Sequence, residues 1–215
     1  MLTLRAGTVL THETEVRRSR FLTTLARTDE EAQARRLIDD VRTTHPQARH
    51  HCSAFLIEEE GRNLLQHSSD DGEPSGTAGA PMLEALRASG VRNVTAVVTR
   101  WFGGILLGTG GLVRAYSGAV TGALEDAPLA RSRRLQVLST TLTPADAGRV
   151  EADLRASGAL MLGCEWGPQV LLRVAVDEGD AVRLSRRLAE ATRGGAQFHP
   201  AGTTTLEVDE PGHCT

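Results

Sequence analysis

Between residues 8 and 26, the apolar Val9, Leu10 and Val16 precede the basic cluster Arg17-Arg18-Ser19-Arg20, and Phe21, Leu22, Leu25 and Ala26 follow it. That pattern predicts a hairpin with arms at 13–16 and 21–26. Thr28-Asp29-Glu30-Glu31 has the form of a capping box. The helix it opens carries Ala34, Leu37, Ile38 and Val41 on one face and stops before Pro46. Residues 49–57 read as a strand, and Glu58 to Asn63 as its turn. Residues 70–79 are too rich in Gly, Asp, Ser and Pro to be regular, so they form a loop. Pro81 sits at a helix start, with Leu83 and Leu86 on the core side and Gly90 closing the end. Residues 94–98 are apolar on both faces, the mark of a strand central in its sheet, and run into Thr99-Arg100-Trp101. From Gly111, the spacing of Leu112, Tyr116, Ala119, Val120, Ala123 and Leu124 predicts an amphipathic helix ending near Asp126-Ala127-Pro128.

Residues 128–134 read as a linker, after which the pattern restarts. A strand over 135–142 leads to Thr143 and Pro144 as a helix cap and first residue, with Ala147, Val150 and Leu154 buried and Gly158 at the end. Strands at 159–166 and 169–176 pair across Gly167-Pro168. Asp177 caps a helix bearing Ala181, Leu184, Leu188 and Ala191, and a short strand follows at 196–199. This βαββαβ order predicts a ferredoxin-like unit. Residues 203–208 add an edge strand, and the chain from Glu210 is a tail. The expectation is an α+β protein with an N-terminal domain at 1–130, a C-terminal domain at 134–209 and a tail at 210–215.

Composition narrows the chemistry. Aromatic residues make up 3% of the 215, so Leu, Val and Ala must fill the core, and any RNA contact is expected with backbone or folded RNA rather than by base stacking. The net charge of −3 leaves any RNA contact to a local patch. Lysine is absent, and every one of the 24 basic side chains is Arg. Cys52, Cys164 and Cys214 form no CxxC pair, which suggests reduced thiols in the cytoplasm. No apolar run approaches the roughly 20 residues of a membrane span, so no membrane partner is expected.

Two glycine-bearing turns, at 70–79 and 102–111, each feed a helix and organise the chain. Glycines before a helix start mean tight packing or an anion docked on free N–H groups. Arg18 and Arg20 in the first basic cluster, Gly103, Gly104, Gly108, Gly110 and Gly111 in the second turn, and Arg100 and Arg114 beside it are the candidate anion or RNA contacts. The second turn lacks the last glycine of a dinucleotide fingerprint, and a chain without lysine has no Walker A loop. His50, His51, Cys52, His67, Asp70, Asp71 and Glu73 contain metal-ligand types. However, adjacent strand positions send His50 and His51 to opposite faces, and neither metal nor cofactor is expected. Cys52 beside two histidines, or Ser75 near Asp71, would supply a nucleophile, but neither sits in an elbow motif. The loop of Asp70, Asp71, Gly72, Glu73, Ser75, Gly76 and Thr77 would either raise a carboxylate pKa for acid–base work or hydrogen-bond its own backbone.

Arg18-Ser19-Arg20-Phe21, His50-His51-Cys52, the 70–79 loop and Thr99 through Tyr116 together resemble the YigZ/IMPACT family over residues 15–125. The remainder looks like the C-terminal domain of its bacterial branch. Trp101 stands where many relatives have Tyr, and Arg18 where relatives often carry lysine. The resemblance implies a ribosomal protein S5 domain 2-like N-terminal domain, as in domain IV of elongation factor G, and a C-terminal domain like that factor's domain V. It also implies a link to translation: eukaryotic relatives regulate initiation through protein contacts, and bacterial ones are tied to nucleic acid or the ribosome. The resulting expectation is a non-catalytic protein that binds RNA or the ribosome, or regulates translation, with a translation-related protein as a further partner. The alternative is an enzyme acting on a small anionic or peptide substrate through the Asp70–Glu73 loop with His51 or Cys52.

Overall fold

The computed structural model describes residues 1–58 and 63–209. The turn expected at Glu58 to Asn63 lies mostly outside them, and the tail from Glu210 wholly so. Cα proximity divides the described chain into two units, residues 1–131 with 207–209, and residues 132–206.

The first unit contains β1 (Leu2–Leu4), β2 (Val9–Val16), β3 (Ser19–Arg27), α1 (Glu31–Thr44), β4 (His50–Ile57), β5 (Leu65–Ser69), α2 (Gly79–Ser89), β6 (Val91–Arg92), β7 (Val94–Trp101) and α3 (Thr109–Glu125). Five strands form an antiparallel sheet in the order β2–β3–β7–β4–β5. β7 lies at its centre, and from Val94 to Arg100 each of its residues is buried, as a strand covered on both faces requires. The two-residue period of the strands sends alternate side chains into separate cores. Cys52, Ala54, Leu56, Ala96 and Val98 join Met82 and Leu86 of α2 and Leu112, Tyr116 and Val120 of α3 on one face. Phe55, Ile57 and Val97 meet Ala34, Ile38 and Val41 of α1 on the other. Beyond this sheet, β1 pairs parallel with β6 and antiparallel with residues 129–131.

Three sequence expectations change here. Thr28 does not cap α1. Its hydroxyl is buried and shares a hydrogen bond with Thr95 at 2.7 Å, the helix begins at Glu31, and Gln33 reaches back to accept from the Asp29 amide. β5 is an additional, half-buried edge strand that the periodicity does not reveal. Residues 128–134 are not a linker, because β8 runs unbroken from Leu129 to Leu142.

The second unit takes residues 132–142 of β8, then α4 (Pro144–Ala156), β9 (Leu160–Glu165), β10 (Val170–Val176), a 3₁₀ turn at Glu178–Asp180, α5 (Ala181–Thr192) and β11 (His199–Asp209) to Leu206. The order β11–β8–β10–β9 is the ferredoxin-like arrangement expected. Leu138, Leu154, Leu172, Val174, Leu184 and Leu188 fill its core. Thr143 caps α4 by accepting from the Asp146 amide at 3.3 Å. Asp177 caps nothing, since its carboxylate accepts from Arg133 and α5 starts after the 3₁₀ turn. One strand, β11, replaces the two short ones expected after α5.

Candidate functional site

The residues singled out from sequence lie in the first unit, and two of them, Glu73 and Arg100, meet at one buried carboxylate. Glu73 comes from the loop between β5 and α2, Arg100 from the end of β7 and Tyr116 from the buried face of α3. Glu73 Oε1 accepts from Arg100 Nη1 at 2.7 Å and from the Tyr116 hydroxyl at 2.8 Å. Arg100 Nη2 lies 3.4 Å from Ser19 Oγ, and Arg100 Nε is buried without a partner among the described residues. Tyr116 packs edge-on against Phe21 at 5.3 Å. Burial, reinforced by Cys52 and Glu73, pushes the Tyr116 phenol well above its ordinary value, so the hydroxyl stays protonated and donates. Tyr116 is a core member that helical spacing alone identified; its bond to Glu73 spans 43 positions and left no local signal.

Asp70 holds the loop together. Its carboxylate accepts from the amides of Gly76 at 2.7 Å, Ala78 at 3.0 Å and Gly79 at 2.9 Å, and so satisfies the start of α2. Burial alone would raise its pKa, but the three N–H donors hold it below the ordinary carboxylate value. Gly79 has no space for a side chain, because a Cβ would lie 2.6 Å from the Ser69 amide nitrogen. Asp71, at φ +43, accepts from Arg42 Nη2 at 2.7 Å and from the His51 amide at 2.7 Å. Gly72 follows it at φ +85. Thr77 donates to the Pro74 carbonyl at 2.6 Å, and Ser75 and Gly76 are exposed. The loop therefore spends its acids on its own backbone and on two arginines.

His50 and His51 point opposite ways, as the strand dictates. His50 Nδ1 donates to the Asp71 carbonyl at 2.9 Å, which leaves Nε2 4.0 Å from Glu73 Oε1. His51 Nε2 donates to the His45 carbonyl at 3.1 Å. Cys52 is buried and donates to the Asp70 carbonyl at 3.0 Å; burial pushes its thiol up to about 12. A thiol so protected supplies no thiolate near neutrality. Among the described residues, no group of three His, Cys, Asp or Glu side chains converges as a metal would require.

The second glycine turn docks on the first hairpin. Arg17 and Arg18 form the two-residue turn between β2 and β3, both with positive φ, +48 and +66. Gly103 donates its amide to Ser19 Oγ at 3.2 Å, and a Cβ on it would lie 2.0 Å from the Arg18 carbonyl, so only glycine fits. Gly104 and Gly108 have φ +86 and +69, and Gly108 precedes the first turn of α3, where Gly110 and Gly111 lie.

The structure splits the expected Arg100–Arg114 pair. Arg100 is buried on Glu73. Arg114 is exposed and instead lines a cleft of about 170 Å³ with Val16, Arg17, Leu107, Gly111 and Ala115. Among the described residues, the guanidinium groups of Arg17, Arg18 and Arg114 have no hydrogen-bond or ion-pair partner. Arg20 lies over the Trp101 ring at 3.8 Å and 3.7 Å from Glu13. Phe102, which the residue pattern did not single out, is 52% exposed at the end of β7. Arg17 also went unremarked individually, although it lay in the basic cluster.

Comparisons with known proteins agree with these motifs. The Impact N-terminal domain matches residues 17–124, and a domain of unknown function, DUF1949, matches residues 140–194. The IMPACT family member YigZ of Escherichia coli (strain K12) is 42% identical over 184 residues, 86% of this chain and 90% of that protein. The IMPACT family member YvyE of Bacillus subtilis (strain 168) is 36% identical over 91% of this chain and 89% of its own length. The crystal structure of a hypothetical protein, 40% identical, aligns with a TM-score of 0.60 over 92% of this chain and 95% of that one. The glycine loops, the histidine pair and the buried Glu73–Arg100 contact all lie within the residues matched by the Impact N-terminal domain, and the chain belongs to the IMPACT family.

Proposed function

We propose that this chain is a non-catalytic, translation-regulatory protein that contacts the phosphate backbone of RNA, free or in the ribosome, through the β2–β3 turn and the start of α3. The observation that carries this reading is the cleft lined by Arg17, Arg114 and Gly111, in which neither guanidinium is paired among the described residues. The first turn of α3 contains no acidic residue and no side-chain cap, so its free amides and the helix dipole add to the same positive field. Arg18 and Arg20 extend that field along the hairpin. The whole chain is mildly acidic, so an anionic polymer needs a local basic patch such as this one. The link to translation is what the resemblance to the family implies.

The enzymatic alternative finds less support. Cys52 is a buried donor, Glu73 already accepts two hydrogen bonds, and Asp70 accepts three. Arg100, Glu73 and Tyr116 act as positioning residues beneath the surface.

The test is titration of labelled ribosomal RNA fragments with wild type and with Arg17→Ala/Arg114→Ala at two salt concentrations. Charge-assisted contacts are worth roughly 1.5–3 kcal/mol each, so the variant should bind at least tenfold more weakly, with a flatter salt dependence. Both side chains are exposed and unpaired, so the melting temperature should hold. Unchanged affinity overturns the reading.

A further inference from the structure

We propose that Phe102 is a stacking platform for an unpaired RNA base, so that the ligand of this face is single-stranded or looped RNA rather than duplex. The inference rests on the phosphate-contact reading above and specifies its ligand.

The aromatic side chains of the first unit are few, and their placement separates Phe102 from the rest. Phe21, Phe55 and Tyr116 are 1% exposed or less. Trp101 has the Arg20 guanidinium over one face at 3.8 Å and His45 in edge contact at 5.5 Å. Phe102 alone among them presents more than half of its surface to solvent. Its backbone is nevertheless held firmly. Gly103, the next residue, abuts the Arg18 carbonyl with no room for a Cβ and donates to Ser19 Oγ. The Phe102 ring lies 5.8 Å from the Cζ of Arg100, itself fixed by Glu73. An aromatic ring with its backbone anchored and much of its surface free is what a base needs to stack on.

The neighbours suit the rest of a nucleotide. The backbone carbonyl of Arg18 abuts Gly103, the residue after Phe102, and Arg17, next to Arg18 in the turn, lines a cleft with Arg114. A strand whose base rests on Phe102 would bring its flanking phosphates toward these three unpaired guanidiniums. A duplex hides the faces of its bases inside the stack, so only an unpaired segment engages both features. Stacking is indifferent to base identity, because every base has a π-face. Recognition here is therefore of unpaired structure, not of sequence.

Ile105 and Leu106, 40% and 81% exposed, lie in the same loop and would equally serve a protein partner, so the test must separate the two. Fluorescence anisotropy of the full chain would be measured with a labelled 12-nucleotide RNA and with its 12-base-pair duplex. Wild type should bind the single strand at least tenfold more tightly. Phe102→Ala should weaken single-strand binding roughly 5- to 100-fold, as loss of one stacked base does, leaving duplex binding and the salt slope unchanged. Phe102→Trp should retain the affinity, and Leu106→Ala should stay within about twofold, since a lone Leu contributes no stacking face. Ultraviolet cross-linking followed by trypsin should place RNA on the peptide from Trp101 to Arg114. Equal affinity for the two RNA forms, or Phe102→Ala binding like wild type, overturns the proposal. If binding responds to Arg17→Ala/Arg114→Ala yet ignores Phe102→Ala, the phosphate reading survives and the stacking one falls. If wild type binds neither RNA, both fall. If Phe102→Ala and Leu106→Ala leave RNA binding intact but abolish co-sedimentation with ribosomes, the loop meets protein and this inference is wrong.

Discussion

Arg100 and Glu73 form a buried ion pair, Nη1 to Oε1 at 2.7 Å, with side chains only 8% and 4% exposed. The pair ties the end of the central strand to the loop before α2, and Tyr116 brings α3 to the same oxygen. Two charges taken out of water gain little net stability even when they meet well. What they fix is position: Arg100 lies near Ser19, whose oxygen also receives Gly103, so the hairpin and both glycine turns share one buried anchor.

Removing one partner should therefore cost more than removing both. Arg100→Met or Glu73→Leu alone strands a buried charge and should lower unfolding free energy by about 3–5 kcal/mol. Arg100→Met with Glu73→Leu should cost clearly less than the two single changes summed. Urea denaturation of the four proteins reads the coupling directly, and additive losses would show that the pair does not act as a unit.

Cys52 should be chemically silent in the folded protein. With its pKa near 12, only about one thiol in 10⁴ is ionised at pH 8. Iodoacetamide followed by peptide mass spectrometry should leave Cys52 unmodified in native protein and modify it in urea. Rapid native alkylation would restore it as a nucleophile.

Much of the fold was legible because local periodicity and burial agree: β7 reads as central, α3 as amphipathic, and Thr143-Pro144 as a helix start. Where reading failed, the deciding partner lay far along the chain. Thr28 looks like a cap until Thr95, 67 positions away, takes its hydroxyl. Arg131, Arg133 and Arg134 make residues 128–134 resemble a linker, yet β8 passes through them because long polar side chains suit the exposed positions of a strand. The site divided in the same way. The two glycine turns and Asp70 were visible as motifs. The choice of Arg100 for Glu73 rather than for a ligand was not, since one sequence shows which charges exist but not which of them meet.

Asp70→Ala should destabilise the protein in a pH-dependent manner. The folded carboxylate has a pKa below the unfolded value of 3.8, so its contribution is fully present above that value and is lost as pH falls through the folded one. Loss of a helix-capping carboxylate costs about 0.5–2 kcal/mol, and with three amide donors the upper half of that range is expected. Thermal melts at pH 7 and in stronger acid should show the gap between wild type and variant closing as pH drops. A gap independent of pH would mean that the Asp70 charge does not hold the loop.

The β2–β3 turn sets stability against binding. Positive φ at both residues of a two-residue hairpin loop is the type I′ pattern, which favours Asn-Gly, whereas this chain has Arg17 and Arg18 at +48 and +66. Left-handed backbone costs an ordinary side chain about 1–2 kcal/mol per residue. Nothing in the fold recovers this through the side chains, because both are exposed and neither has a partner among the described residues. Strain of this kind persists where function needs it. Arg17→Asn with Arg18→Gly should therefore raise unfolding free energy by about 1–3 kcal/mol while weakening RNA binding at least tenfold. If each arginine meets one phosphate, the slope of log affinity against log salt should also fall by about 1.4, at roughly 0.7 per phosphate for a single strand. A double variant that is both more stable and equally good at binding would show that the turn is strained but that the arginines do not bind RNA. One that is less stable would show that the turn is not strained as its dihedrals indicate. Denaturation and anisotropy on the same preparation separate the three results.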